Sequence, residues 1–308
     1  MKKIKIRIMI IALLIVSVFV IGIIIFAQMN KENIAKGQYI GIEDCFLGEF
    51  SEGKWYSANQ FYKEAMQEID FRINAEINVN KKEYTYQDIL NQKSFYLYKR
   101  KAEKLVFEGK YDEFYYDIEK YPEYYNDINV FRFNLVNGPE VELSICTSQK
   151  LQNLNNNEIL EITDYQEYEK YIKEILVENG IEEAVNISKI LEVDANLDGE
   201  KEIYILSCSP QTNFDNLKDI YNLLVKVEDG KSQTIIEKII KKEDFDKVGN
   251  DKTLLYTSIQ SMDFADFNND GKMEMYVKAF IWDNPMIYVF NYNDSNKLEL
   301  CMYGNFAW

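Results

Sequence analysis

The sequence predicts an α+β protein in three parts. These are an N-terminal transmembrane helix, a small α+β unit, and an all-β C-terminal region of two propeller-blade-like four-stranded repeats with Asp-rich loops. Three observations carry this prediction. An uninterrupted apolar run fills residues 8–27. Helical and alternating apolar patterns are mixed between residues 38 and 150. A nine-residue pattern then occurs twice, seventy-two positions apart, each time ahead of β-like sequence.

Lys2, Lys3, Lys5 and Arg7 precede the apolar run from Ile8 to Ala27. About twenty apolar residues are enough for a helix to span a bilayer. A cleavable signal has a shorter apolar stretch and a small-x-small cleavage site, and Ile25-Phe-Ala27-Gln28 matches that poorly. The basic flank stays cytoplasmic by the positive-inside rule. The expected arrangement is a tail at 1–7, a transmembrane helix at 8–27, a polar stalk at 28–37 and an extracellular remainder. A cleaved, secreted form is the alternative.

The unit at 38–150 opens with a hairpin across Phe46 to Trp55, turning at Ser51-Glu-Gly53. Ser57 with Gln60 forms a capping-box pattern, and Phe61, Ala65 and Ile69 follow at helical spacing. Alternating segments around Tyr96 to Phe107 and Val130 to Cys146 read as strands, the second broken at Asn137-Gly-Pro139. The tyrosines from Tyr111 to Tyr125 read as a half-buried turn rather than a sugar-stacking surface.

The second unit, 151–308, begins with the clearest helix. Asp164-x-x-Glu167 starts it, Tyr168, Ile172, Ile175 and Leu176 form its buried stripe, and Asn179-Gly180 ends it. Strands follow at 187–193, 203–208, 221–227 and 234–240, then at 254–262, 275–281, 286–292 and 298–303. Asp229-Gly230 and Asn293-Asp-Ser-Asn296 supply the last turn of each set. Four short antiparallel strands with a loop between the first two make a propeller-like blade. Two blades do not close a ring, so their edges need cover from the N-terminal unit, the helix or a partner.

The repeated pattern sits between the first two strands of each set. It reads Asp194-Ala-Asn196-Leu-Asp198-Gly199-Glu200-Lys-Glu202 and Asp266-Phe-Asn268-Asn-Asp270-Gly271-Lys272-Met-Glu274. Oxygen side chains at alternate positions followed by glycine describe a loop that wraps a hard cation such as Ca²⁺, which takes six to eight oxygen ligands. The expected ligands are the side chains of Asp194, Asn196, Asp198 and Glu202, and of Asp266, Asn268, Asp270 and Glu274. The backbone carbonyls of Glu200 and Lys272 add one each. An EF-hand needs a glutamate at loop position twelve between two helices; Ile205 and Val277 stand there instead. Asp, Asn and Gly are also ordinary turn residues. Two copies that share the closing Glu and an apolar-Tyr-apolar triplet favour the metal.

At these loops the chain resembles FG-GAP/VCBS-type repeats, the calcium-loop blades of integrin α-subunit propellers and many bacterial surface proteins. With its anchor and Gly53-Lys-Trp55 hairpin it is also similar to a group of clostridial membrane-anchored surface proteins. The resemblance covers roughly residues 186 to 308 and implies Ca²⁺ bound at the tips of β-hairpins by the residues above. It implies no enzymatic activity.

Composition narrows the function. The net charge is −16, and the part beyond residue 27 holds 31 basic against 51 acidic residues. Such a surface argues against nucleic acid as a partner. There is no histidine, which removes His-based nucleophilic catalysis and His-ligated zinc. Cys45, Cys146, Cys208 and Cys301 lack zinc spacing; one or two disulfides are open to them, and buried thiols are expected. The expected function is a non-enzymatic, membrane-anchored extracellular protein for adhesion, ligand recognition or envelope maintenance, with Ca²⁺ and a protein or glycan as partners. A carboxylate-dependent envelope hydrolase and a sensor subunit with a membrane partner are the alternatives.

Overall fold

The computed structural model describes residues 37–43, 45–58, 71–84, 88, 92, 94–111, 114–120, 129–135, 144–152, 154, 158–210, 218–244, 258–281 and 284–305. Three sheets stack face to face, and one helix of described extent covers the outermost.

The N-terminal sheet is built from β1 (Gln38–Ile42), β2 (Cys45–Ser51), β3 (Lys54–Ser57), β6 (Phe95–Lys101), β7 (Lys104–Tyr111), β8 (Phe114–Lys120), β9 (Asn129–Leu135) and β10 (Ser144–Thr147). Its order is β7-β6-β10-β1-β2-β9-β8, with β3 also on β2. Two short strands between β3 and β6, namely β4 (Arg72–Ile73) and β5 (Glu76–Ile77), leave this sheet to join the other two.

The helix-backed sheet contains β11 (Leu160–Glu161), β12 (Ile187–Val193), β13 (Glu202–Cys208), β14 (Ile220–Glu228) and β15 (Lys231–Ile240), in the order β11-β12-β13-β14-β15-β4. The central sheet contains β16 (Ser258–Ala265), β17 (Glu274–Ile281), β18 (Asn284–Tyr292) and β19 (Leu298–Asn305), in the order β16-β17-β18-β19-β5. Strand β5 runs parallel to β19; the other pairs of named strands are antiparallel.

Alternation along the strands explains the stacking. In β13, Tyr204 and Leu206 face the central sheet, while Ile205 faces α1 (Glu169–Glu178). In β17, Met275, Val277 and Ala279 face the helix-backed sheet, while Tyr276 packs toward the N-terminal sheet. Strand β18 divides likewise, with Tyr288 and Phe290 on one side and Ile287 and Val289 on the other. The central sheet is therefore apolar on both faces. Buried polar groups tie the layers together. Tyr204 and Tyr292 share a hydroxyl–hydroxyl hydrogen bond across the first interface. Arg100 of β6 crosses the second, donating to Asp263 (3.0 Å) and to the Phe264 carbonyl (2.6 Å).

Helix α1 covers the outer face of its sheet with Ile172, Ile175 and Leu176. It ends in a Schellman motif. Gly180 has φ +69°, its N–H donates to the Val177 carbonyl (3.0 Å), and the Ile181 N–H donates to the Leu176 carbonyl (2.9 Å). The start differs from the sequence pattern. Tyr168 occupies the N-cap without a side-chain bond, and Asp164 instead accepts from the Gln166 N–H within the preceding turn.

The α+β class is corrected by this architecture. The described part of residues 38–150 contributes ten strands, and the described residues are mainly antiparallel β with one α-helix of described extent. Ser57 also has a role in the sheets. It lies in β3, donates its hydroxyl to the Tyr303 carbonyl (2.8 Å) and accepts from the Tyr303 N–H (3.2 Å). Residues 59–70, the rest of that expected helix, lie outside the described residues. Each repeat forms a four-stranded meander, and its edges receive added strands. Their meanders are extended by β11, β4 and β5, which cover three of their four edges with backbone hydrogen bonds. No helix among the described residues is long and apolar enough to cross a membrane. The expected tail at 1–7, transmembrane helix at 8–27 and stalk up to residue 36 lie outside the described residues.

Candidate metal centre

Each D-x-N-x-D-G loop leaves the first strand of a meander and enters the second. Residues 194–201 join β12 to β13, and residues 266–273 join β16 to β17. The fourth loop residues, Leu197 and Asn269, have φ +60°, and the glycines after the third oxygen donor, Gly199 and Gly271, have φ +93° and +98°. The glycine removes the Cβ clash of that region, so the chain reverses within nine residues.

The hydrogen bonds repeat residue for residue. The closing glutamate reaches back to the second loop residue: Glu202 Oε2 accepts from the Ala195 N–H (3.1 Å), and Glu274 Oε2 from the Phe267 N–H (2.7 Å). Asp194 Oδ2 accepts from Gly199 N–H (3.1 Å), and Asp266 Oδ2 from Gly271 N–H (3.0 Å). Asn196 Oδ1 accepts from Asp198 N–H and Asn268 Oδ1 from Asp270 N–H, both at 2.9 Å. Asp198 and Asp270 in turn accept from the N–H of Glu200 and Lys272, at 2.9 and 2.8 Å. Backbone donors thus hold the carboxylates in place, through one oxygen in most and through both in Asp266, whose Oδ1 also accepts from the Asp270 N–H (3.1 Å).

The side chains expected from the sequence divide by burial. Glu202 and Glu274 are buried at 2% and 1% exposure, and Asp266 at 1%. Burial in the first place, then the charges of Asp266 and Asp270, push the Glu274 carboxyl well above its ordinary range. Burial likewise raises Glu202. Two negative groups converging on a desolvated glutamate are costly without a proton or a cation between them. In the first loop, Asp194 Oδ1 and Glu202 Oε1 are buried with no hydrogen-bond partner among the described residues. Lys272 turns its ammonium outward to Asn296 Oδ1 (3.0 Å), so only its backbone remains available to the loop.

A hard divalent cation fits this donor set, which is all oxygen with unpartnered atoms in a buried position. The asparagines fit with one adjustment. Their Nδ2 groups donate to Asp198 Oδ2 (2.9 Å) and Asp270 Oδ2 (3.0 Å), so ligation through Oδ1 requires the amide to turn over.

Three further residues belong to the neighbourhood. Glu228 brings a carboxylate oxygen within 4.8 Å of oxygens from Asp198 and Glu202. Lys226 places Nζ 3.1 Å from Glu228 Oε2 and 3.9 Å from Glu202 Oε1, above the Tyr292 ring. Asn291 stands beside Glu274, one step beyond the Met275↔Phe290 pair. All three come from the third strand of a meander. The local spacing of the loops carries no signal for them, because the β13–β14 and β17–β18 registers bring them in. The four cysteines are free thiols, and burial pushes the Cys208 thiol up to about 12. No family model, no curated protein and no solved structure matches the chain.

Proposed function

We propose that this is a non-enzymatic cell-surface protein whose two D-x-N-x-D-G-x-x-E loops bind Ca²⁺ and thereby rigidify one end of a three-sheet stack, for adhesion, ligand recognition or envelope maintenance. The observation that carries this reading is the congruence of the loops. Two segments with different intervening residues adopt one hydrogen-bond pattern around convergent carboxylates. A plain turn does not need a buried glutamate eight residues on from an aspartate; a cation that must be closed in on its far side does. The resemblance to FG-GAP/VCBS repeats supports the same ion. Cell-surface placement rests on the composition of residues 1–27, and a protein or glycan is the partner class that an acidic, calcium-loaded surface suits.

Calcium titration of the purified chain tests the reading. Uptake of about two ions in the micromolar-to-millimolar range is expected, with a melting temperature that rises with calcium and falls back with EGTA. Binding at about one hundred times Kd adds about 2.7 kcal/mol to stability. A heatless titration with a melting curve indifferent to EGTA sinks it.

A further inference from the structure

We propose that each cation centre takes an additional ligand from outside its loop: Glu228 of β14 at the first centre and Asn291 of β18 at the second. This rests on the reading of the loops as cation sites and adds a residue to each that the repeated motif does not contain.

Register places them. In the β13–β14 pairing, the step after Ile203↔Val227 sets Glu228 beside Glu202. In the β17–β18 pairing, the step after Met275↔Phe290 sets Asn291 beside Glu274. The same position of the meander, opposite the closing glutamate, therefore holds an oxygen donor in both repeats. Asp198, Glu202 and Glu228 each bring one carboxylate oxygen within 4.8 Å of the others.

A second, independent observation points to a ligand there. Glu202 is 2% exposed; its Oε2 is engaged by the Ala195 N–H, while Oε1 is buried with no hydrogen-bond partner among the described residues. At 3.9 Å, the Lys226 ammonium is too far to satisfy that oxygen by a hydrogen bond. Asn291 Oδ1 is buried and unpartnered in the same way. Each pair of facing residues, Glu202 with Glu228 and Glu274 with Asn291, thus contains one buried oxygen without a hydrogen-bond partner among the described residues, a group that calls for a ligand. Glu228, half exposed at its side chain, lies on the solvent side, where a closing ligand is required.

The two centres then differ in a defined manner. The first has a carboxylate at this position with Lys226 attached, whereas the residue matching Lys226 in the pairing of the second is Val289. A lysine ammonium competes with a divalent ion for the same oxygens. Calcium titration of the full-length chain tests this with each centre isolated. In an Asp270→Ala background, Glu228→Gln is expected to weaken calcium binding about tenfold or more, since ligand charge sets affinity in such sites. Lys226→Met is expected to leave it unchanged or tighten it. In an Asp198→Ala background, Asn291→Asp is expected to tighten binding at the second centre. Unchanged affinity in Glu228→Gln, or an equal loss in Lys226→Met, reduces Glu228 to a salt-bridge partner and overturns its assignment. Unchanged or weaker binding in Asn291→Asp overturns the other half. Absence of any calcium uptake by the unsubstituted chain is a separate result, and it removes the loop reading itself.

Discussion

The Met273 amide nitrogen lies 2.9 Å from the Ala195 carbonyl oxygen, and this hydrogen bond fastens the second loop to the first. The contact belongs to a series. At the fourth position of the first loop, Leu197 reaches Gly271 of the second. At the fourth position of the second loop, Asn269 reaches β1 of the N-terminal sheet, donating to Gln38 Oε1 (3.3 Å), and also accepts from the Gln152 N–H (2.7 Å). Each loop therefore rests on the layer next to it in the same direction.

Asp270→Ala and Asp294→Ala separate a metal loop from an ordinary turn. Asp270 lies at the centre of the second loop, whereas Asp294 is in the β18–β19 turn. Melting each variant with and without calcium cancels the intrinsic turn effects. Asp270→Ala is expected to lose a large part of the calcium-induced rise. Asp294→Ala should keep it and change stability by no more than about 0.5 kcal/mol. Equal rises in wild type and Asp270→Ala would show the second loop to be a turn only.

Calcium-free protein is expected to lose stability as pH rises. The folded-state pKa of Glu274 is raised above its ordinary value of 4.5 by burial and by Asp266 and Asp270. Below the ordinary value the glutamate is protonated both folded and unfolded. Between that value and the raised one, the folded state holds the extra proton, so stability falls with pH through that window. Calcium replaces the proton, so its affinity should rise over the same range. Denaturation in EGTA and in calcium at several pH values between 4 and 8, expected about as stated for raised carboxyl groups, checks both slopes. Glu274→Gln should flatten the calcium-free slope; a flat profile in the unsubstituted protein, or a slope that persists in Glu274→Gln, overturns the assignment.

Glycine substitutions dissect strain from contact. A Cβ at Gly199 meets nothing within 4 Å, so Gly199→Ala carries only the cost of a positive φ. That cost is about 1 kcal/mol. A Cβ at Gly271 meets Leu197 Cδ1 at 2.9 Å. Gly271→Ala is therefore expected to cost more than Gly199→Ala, and Leu197→Ala should recover the excess without recovering the strain. Urea denaturation of the three variants and the double variant reads the difference.

Arg100→Ala should destabilise the stack by about 3 kcal/mol, because it leaves a buried carboxylate without its counter-charge. Asp263 keeps the Tyr276 hydroxyl (3.1 Å) and the Phe264 N–H (2.8 Å), but loses the guanidinium that crosses from the N-terminal sheet. A loss below about 0.5 kcal/mol in chemical denaturation, the level of an exposed pair, would remove the bridge from the list of interlayer ties.

Local sequence carried much of the site. The loop oxygens and glycines lie within nine residues, so their spacing alone fixes their mutual geometry. Strands such as β13 and β18 were legible from apolar runs bounded by turns. The end of α1 was legible at Gly180, because only a residue tolerant of positive φ closes that motif. Residues whose role depends on a distant partner were not legible. Ser57 stands in a local capping pattern, and nothing in that pattern announces that its hydroxyl serves Tyr303, 246 residues away. Strands β4 and β5 have two residues each, too few for any periodicity, and exist because sheet edges elsewhere receive them. Glu228 and Asn291 needed the register of a third strand, which the connections into β14 and β18 do not specify.

On the proposed reading of the loops, the fastening of one to the other would make two bound cations neighbours. Stacked sheets lie about 10 Å apart, which is close to the Debye length at physiological ionic strength. Two divalent ions at that separation would repel by roughly 0.5 kcal/mol after screening, while the Met273–Ala195 bond lets order in one loop restrain the other. Occupancy of the pair would then be a joint property. The second ion would enter against the field of the first but into a backbone already set. Added salt would weaken the repulsion and leave the shared backbone order untouched, so ionic strength is expected to move calcium filling from stepwise toward concerted.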